Sequence, residues 1–374
     1  MRVLFLTNIP SPYRIDFFNE LGKLCDLTVL FERKSAADRD ENWSGSPMTD
    51  FTPVFLKGRP VGNEAAFCLS VIKWLNKDKF DVFVIGGYST PTGMLAIETL
   101  KLKGIKFLLS SDGGMIKVDG KVSYLVKKHF ISSPAWWLST GQETNNYLVH
   151  YGAKRANIYV YPFTTQFKKD ILLDPTKTSE KNALRQELGL QGETVTLAVG
   201  QYIERKGFDV LLEAWRGMPA SDHLVIIGSG PLKSLYEELI HKYQLTNVLL
   251  EDFQQKERLQ QYYRASDLSI LPTREDIWGL VINEAMGNGL PVISTEKCIA
   301  ATELIENGVN GYVVPIDDPV ALTLRAREIL SSLELMEGMG RQSVARIKDF
   351  TIEQMAAAHL EIFNQILSSG RRSS

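Results

Sequence analysis

Apolar residues along this chain come in short, unbroken runs and do not alternate strictly with polar ones. Runs at 2–7, 27–31, 81–85, 106–110, 136–139 and 158–161 read as strands buried on both faces. Helical periodicity falls between them, at 13–23, 64–77, 92–103, 121–130 and 143–151. Such alternation predicts a doubly wound parallel sheet. The pattern breaks over 162–179, which is polar, carries several lysines and Asp174-Pro175, and reads as a linker. It resumes with strands at 194–199, 223–227, 247–251, 268–271, 291–294 and 311–314. Helices are expected at 207–215, 231–243, 257–265 and 279–287. A second sheet of the same type follows. Residues 319–369 form a helical tail and the last five are expected to fray. No short-period repeat is visible, which excludes a solenoid.

The 374 residues suit about two domains. A hydrophobic fraction of 44% and a charged fraction of 23% exclude a disordered chain. The net charge of −2 gives no whole-chain reason to expect nucleic acid. The charge is uneven. Residues 1–170 carry 22 Lys/Arg against 16 Asp/Glu, net +6, and residues 171–374 carry 20 against 28, net −8. Three distant cysteines, Cys25, Cys68 and Cys298, form neither a disulfide framework nor a zinc spacing and point to a reducing cytosol. The first residues lack the long apolar region of a signal peptide. No stretch approaches the ~20 apolar residues needed to cross a bilayer. The expected location is cytoplasmic.

In open parallel sheets, ligands bind beyond the carboxyl ends of the strands. After the first strand come Ser11, Pro12, Tyr13 and Arg14. Gly86-Gly87-Tyr88 and Ser111-Asp112-Gly113 follow later strands of the first half. In the second half these positions hold Gly200-Gln201, Arg205-Lys206-Gly207, Gly228-Ser229-Gly230 and 272–279, which includes Glu275, Asp276, Ile277 and Trp278. Strand-to-helix turns alone do not need such charge, and two edges of this kind facing each other would form a cleft, a common ligand site. Arg205 and Lys206 suit a diphosphate, because cations sit poorly at a helix start unless an anion joins them. Gly279 and Leu280 open a helix whose free amides suit a phosphate. Glu284, further along among apolar neighbours, needs a bonded partner, and two vicinal ribose hydroxyls would serve.

Other signals are weaker. Asp38-Arg39-Asp40 has a metal-sugar-nucleotide spacing but lies in a charged loop, where a solvated run is the favoured reading. Gly228-Ser229-Gly230 lacks the third glycine of a dinucleotide fingerprint. The five histidines show no metal-ligand spacing, and no Ser-His-Asp order is present. The stretch 124–130 with Trp136 and Trp137 is basic and aromatic. It fits a membrane surface, or a buried helix face followed by a strand, the second being favoured.

Residues 200–214, the segment 271–293 and the turn 305–313 together resemble the motifs of family 4 glycosyltransferases, including the E-x7-E segment. The resemblance covers about the whole second half; the first half resembles the family mainly in strand order. It implies a GT-B fold of two Rossmann-like domains facing across a cleft. The domains would be 1–161 for the acceptor and 180–350 for the nucleotide-sugar, joined by 162–179, with 351–369 crossing back. It further implies sugar transfer with retention, without metal or cofactor, with the leaving phosphate helping to deprotonate the acceptor. The donor is a nucleoside diphosphate sugar, UDP being the expected nucleotide. The acceptor is a glycan or lipid-linked glycan, in surface polysaccharide or glycolipid synthesis, met at the inner face of the membrane.

By position in the motifs, Lys206 contacts the diphosphate with Arg205 beside it, Glu284 holds the ribose, and Asp276 touches the donor sugar. Amides near Trp278, Gly279 and Leu280 cradle sugar and phosphate, and Gln201, Gly228, Gly230, Glu275 and Ile277 complete the donor site. Ser11, Tyr13, Arg14, Gly87 and Tyr88 are placed at the acceptor, with Asp112 among the reacting groups. The chain departs from the family at Gln201, where arginine is usual, and at Asp276, where glutamate is usual and Glu275 competes for the role. It also departs at Ser11-Pro12, where glycines are usual, and at the loop 111–113, which lacks the acceptor-side histidine. A sugar-nucleotide epimerase of the same architecture and a non-catalytic nucleotide-sugar-binding protein are the alternatives.

Overall fold

The computed structural model describes residues 1–34 and 46–371. Asp38-Arg39-Asp40 lies outside them. The chain divides into two compact units, Met1–Thr164 together with the segment from Thr351, and Thr165–Phe350.

The first unit is built on seven strands. They are β1 (Arg2–Thr7), β2 (Asp26–Phe31), β3 (Thr52–Phe55), β6 (Val82–Ile85), β7 (Leu108–Ser110), β8 (Trp136–Ser139) and β9 (Ile158–Val160), with β4 (Arg59–Val61) and β5 (Ala65–Phe67) set apart as an antiparallel hairpin. The order β3-β2-β1-β6-β7-β8-β9 is parallel throughout. Val3, Leu4, Phe5 and Leu6 are buried without alternation, as a central strand covered on both faces requires. The helices are α1 (Pro12–Gly22), α2 (Pro91–Leu102), α3 (Lys121–Ile131) and α4 (Gln142–His150). Pro12 and Pro91 each open their helix at a position where a missing N–H is harmless.

The helix expected at 64–77 does not form. Those residues give β5 and a short 3-10 turn, Leu69–Lys73. Tertiary bonds override the local pattern: the Ala66 amide donates to the buried carboxylate of Glu32 at 2.9 Å, and the Cys68 amide donates to the Thr92 hydroxyl at 2.9 Å. β3 and β4 had no strong signal either. Their residues are mostly exposed, so no apolar run marks them.

In the second unit the strands are β10 (Thr194–Val199), β11 (Asp222–Ile227), β12 (Val248–Glu251), β13 (Leu268–Leu271), β14 (Val292–Thr295) and β15 (Gly311–Val314). They pair in parallel in the order β12-β11-β10-β13-β14-β15. Helices α5 (Thr178–Leu188), α6 (Phe208–Trp215), α7 (Lys233–Lys242), α8 (Lys256–Ala265), α9 (Leu280–Gly287), α10 (Ile299–Leu304), α11 (Pro319–Leu330) and α12 (Leu333–Ile347) complete it. Phe208, Leu211, Trp215, Leu224, Ile226, Tyr236 and Ile270 sit in one buried core.

The stretch 165–176 is not a loose tether. Gln166 lies against Gly287, where an added Cβ would stand 2.4 Å from its side chain. The Leu172 amide donates to the Gly287 carbonyl at 2.8 Å, and Lys256 pairs with Asp170 at 2.7 Å. This strap runs along the end of α9. The last helix, α13 (Ile352–Arg371), packs on α1 within the first unit. Its buried residues Ile352, Met355, Ala356, His359, Ile362, Phe363 and Ile366 recur at helical spacing on one stripe. No helix among the described residues is long and apolar enough to cross a membrane.

Candidate active site

In the second sheet the strand order reverses between β10 and β13, and the turns after these two strands hold the expected donor residues. Such a reversal point opens a crevice at the carboxyl ends of the strands. After β10, Glu204–Lys206 forms a 3-10 turn that ends at Gly207, with φ 68°. A side chain there would be strained, and its Cβ would stand 2.2 Å from the Pro272 carbonyl. After β13, Asp276 makes a parallel bridge with Cys298; its amide donates to the Lys297 carbonyl at 2.8 Å.

The two turns meet through charge. Lys206 Nζ donates to Asp276 Oδ2 at 2.6 Å, and both side chains are largely buried. Arg205, more exposed, lies 3.6 Å from the same oxygen and donates to the Glu275 carbonyl at 2.7 Å. Of the two neighbouring acids, Asp276 is the one whose carboxylate meets the lysine. The Lys206 stem passes over Gly200, where an added Cβ would be in ordinary contact with it, 3.4 Å from Cδ and Cε.

Arg274 locks the arrangement. Its amide donates to the Arg205 carbonyl at 2.8 Å and its guanidinium to the Glu204 carbonyl at 2.7 Å. The same guanidinium forks onto Asp209 at 2.6 and 3.0 Å and reaches Asp317 at 2.6 Å. Sequence reasoning passed over it, because one more cation in a charged loop carries no signal of its own.

Beside Asp276, Gly279 precedes α9 with φ 99°. A Cβ there would stand 2.5 Å from the Cys298 sulfur. Trp278 is buried and its indole N–H donates to Asn283 at 2.8 Å, so only its backbone faces the site. Burial, then the Asp276 charge, pushes the Cys298 thiol up to about 12, which keeps it neutral. Ile277 is exposed and Glu275 half-buried.

Glu284 is already held: Tyr263 donates to Oε2 at 3.0 Å and Thr165 to Oε1 at 3.2 Å. Burial raises its carboxyl above the usual range, against the pull of those two bonds. Each oxygen keeps a second lone pair for another donor. Tyr263 fell within the helix expected at 257–265 and Thr165 in the supposed linker, so neither was anticipated. Gly228 and Gly230 serve close packing. A Cβ on Gly228 would meet the Gly200 carbonyl at 1.8 Å, and one on Gly230, with φ 153°, would meet Tyr202 O at 2.6 Å. Gln201 is exposed.

In the first unit the reversal lies between β1 and β6, and the turns there gather the expected acceptor residues. Ser11 is buried at the start of α1. Arg14, also buried, pairs with Asp112 Oδ2, while Asp112 Oδ1 accepts from Tyr161 at 3.1 Å. Both oxygens of Asp112 are thus engaged. Tyr13 lies edge-on to Phe163 with ring centroids 6.0 Å apart. The Tyr88 hydroxyl bonds to that of Tyr147, and the Gly87 carbonyl is approached closely by Gly93. Among the described residues no three His, Cys, Asp or Glu side chains gather as a metal site.

Residues 180–345 match the family model described as glycosyl transferases group 1. The D-inositol 3-phosphate glycosyltransferase of Xylanimonas cellulosilytica is 29% identical over 355 residues, covering 92% of this chain and 77% of that one. WcaL of Salmonella typhimurium, named for colanic acid biosynthesis, is 31% identical over 164 residues, 40% of each chain. HepE of Anabaena, solved with UDP, superposes with a TM-score of 0.75 at 17% identity and covers all of both chains; it has also been solved with UDP-glucose. The chain is a glycosyltransferase, and its segment 180–345 resembles group 1. Its two parallel-sheet units have the GT-B fold. The epimerase and non-catalytic readings gain no support from these relatives, which are named as glycosyltransferases.

Proposed function

We propose that this glycosyltransferase moves a sugar from a nucleoside diphosphate sugar, UDP-linked, to a hydroxyl of a glycan or lipid-linked glycan. The transfer retains the anomeric configuration and needs no metal. The observation that carries this reading is the 2.6 Å pair of Lys206 and Asp276 at the strand reversal, beside the amide-rich start of α9. A buried ammonium there suits a diphosphate. On donor binding Lys206 exchanges Asp276 for a phosphate oxygen, and Asp276 turns to accept a sugar hydroxyl. Arg205 and the first amides of α9 meet the remaining charge. Glu284 accepts both ribose hydroxyls through its unused lone pairs.

In the reaction the bond from the anomeric carbon to the phosphate oxygen breaks, and the acceptor oxygen bonds on the same face. The acceptor proton passes to a phosphate oxygen. The charge that grows on the departing diphosphate is met by groups already in place, which is the large electrostatic term in such catalysis. Asp112, engaged at both oxygens, orients Arg14 toward the acceptor and does not take the proton. HepE, solved with UDP and with UDP-glucose, supports a UDP-linked donor, and WcaL, named for colanic acid biosynthesis, supports a glycan acceptor. The proposal includes a cytoplasmic location at the inner face of the membrane, where a lipid-linked acceptor would be met.

Thermal melts with UDP, GDP and their sugars test the donor, since a ligand bound to the folded state raises the apparent Tm. UDP should raise it most, with or without EDTA. No shift with any nucleoside diphosphate sinks the reading. Proton NMR of the product then fixes the anomer, and an inverted one excludes the mechanism. Incubation with donor alone should give no epimer.

A further inference from the structure

We propose that Thr165 is a positioning residue for the donor: from the strap 165–176 it fixes the Glu284 carboxylate so that a ribose is preferred over a 2′-deoxyribose. The inference rests on the proposed reading that Glu284 meets the ribose, and names the residue that makes the meeting selective.

A glutamate on a helix turns easily about its last side-chain bond. A carboxylate that must accept from two neighbouring hydroxyls gains from having that rotation stopped before the ligand arrives. Here two hydroxyls from separate elements stop it. Tyr263, on α8, donates to Oε2 at 3.0 Å, and Thr165, on the strap, donates to Oε1 at 3.2 Å. A single donor would leave the group pivoting about one bond, whereas a donor on each oxygen sets its plane. Glu284 is half-buried, so part of it stays accessible, and each oxygen has a further lone pair. Burial and the Glu284 charge keep Tyr263 protonated, so it remains a donor.

The strap is built to hold Thr165 still. The Phe167 amide donates to Asp170 Oδ2 at 3.2 Å, and Lys256 of α8 pairs with the same oxygen at 2.7 Å. The Leu172 amide donates to the Gly287 carbonyl at 2.8 Å, and Pro175 packs on Gly289, where an added Cβ would stand 2.8 Å from its Cα. These anchors fall on α8 and on the end of α9, the two helices that carry Tyr263 and Glu284. The stretch between the two sheets thus contributes a side chain to donor selection.

The charges around Glu284 are few. Lys256 favours its ionised form and Asp170 opposes it. On α12, Arg341 pairs with Glu337, and Arg346 donates to the Glu303 carbonyl on α10. Strands β13 and β14 carry no ionisable side chain. Against burial, the bond from Thr165 favours the charged form, so losing it pushes the carboxyl further up. A 2′-deoxyribose brings one hydroxyl fewer and leaves a carboxylate lone pair unmet in a half-buried place.

The test is calorimetric titration of the full chain with UDP and with 2′-deoxyuridine diphosphate across pH 5.5–8. Their affinity ratio cancels the titration of the diphosphate, which both share. The wild type should prefer UDP by ~10-fold, the worth of a hydrogen bond to a charged group. Glu284→Gln should lose that preference. Thr165→Val should lose most of it at pH 7.5, and what remains should fade at a higher pH on acidification than in the wild type. Thr165→Ser, which restores the hydroxyl, should recover both the ratio and the pH profile. Thr165→Ala serves in place of valine if valine disturbs the fold. A preference kept by Thr165→Val but lost by Glu284→Gln overturns the proposal and leaves the ribose reading standing. Equal weakening of both ligands by Thr165→Val, with an unmoved pH profile, shows a merely structural strap and also overturns it. Equal binding of the two ligands by the wild type removes the ribose from Glu284, and no binding of either sinks the donor reading as well.

Discussion

Asp276 holds Lys206 where the proposed reading puts the diphosphate. Removing the ammonium leaves Arg205, 3.6 Å from the carboxylate, as the nearest cation. Lys206→Ala should lower kcat/KM by ~10²–10³, by analogy with the loss of one anion-stabilising donor. Steady-state rates with UDP-sugar check it, and an unchanged rate removes Lys206 from the mechanism. Glu284 trades stability for binding. Its folded pKa is raised by burial, so the native state holds the proton more tightly than the unfolded chain does. Stability therefore falls as pH rises from the unfolded value near 4.5 through the raised one. Glu284→Gln should raise Tm at pH 7, leave it almost unchanged at pH 4, and weaken UDP binding. Melts at both pH values with a UDP titration decide this, and a lower Tm at pH 7 refutes it.

At the scale of elements, the start of α9 depends on one glycine. Gly279→Ala forces a side chain into φ 99° and toward the Cys298 sulfur at 2.5 Å. Backbone strain alone should cost about 1–3 kcal/mol. Adding Cys298→Ala should recover only part of the lost Tm, since it relieves the clash and not the dihedral; full recovery would show that the contact alone mattered. The strands of both sheets were legible because buried parallel strands are unbroken apolar runs, as at β1 and β13. The site turns were legible because Arg205-Lys206 and Asp276 are charges that a turn does not need. What stayed hidden depends on long-range partners. β5 forms through Glu32 and Thr92, and Thr165 finds Glu284 across more than a hundred residues. No window of sequence contains both members of such pairs.

For the molecule as a whole, α13 ties the end of the chain to its beginning. His359 on α13 lies between the rings of Phe17 and Tyr161, with centroids 4.7 and 4.5 Å away. Burial, joined by the nearby Arg14 charge and opposed by the bond to the Met355 carbonyl, lowers its pKa to about 4. The unfolded chain, with a histidine near 6.5, binds the proton more readily. Stability is full above pH 6.5 and is lost as pH falls toward 4, a change of about 3 kcal/mol. Urea unfolding at pH 7 and 4.5 should show that loss, and His359→Phe should flatten it. A variant with the same pH profile as the parent would clear His359 of the effect.

The closure of the first unit by α13 also orders events on the ribosome. The segment Thr165–Phe350 is contiguous and needs no later part of the chain to complete it. The earlier unit has to wait, with Phe17 short of its cover, until the helix Ile352–Arg371 has been made. A chain cut before Thr351 would therefore leave the second unit whole and the first without the helix that covers Phe17.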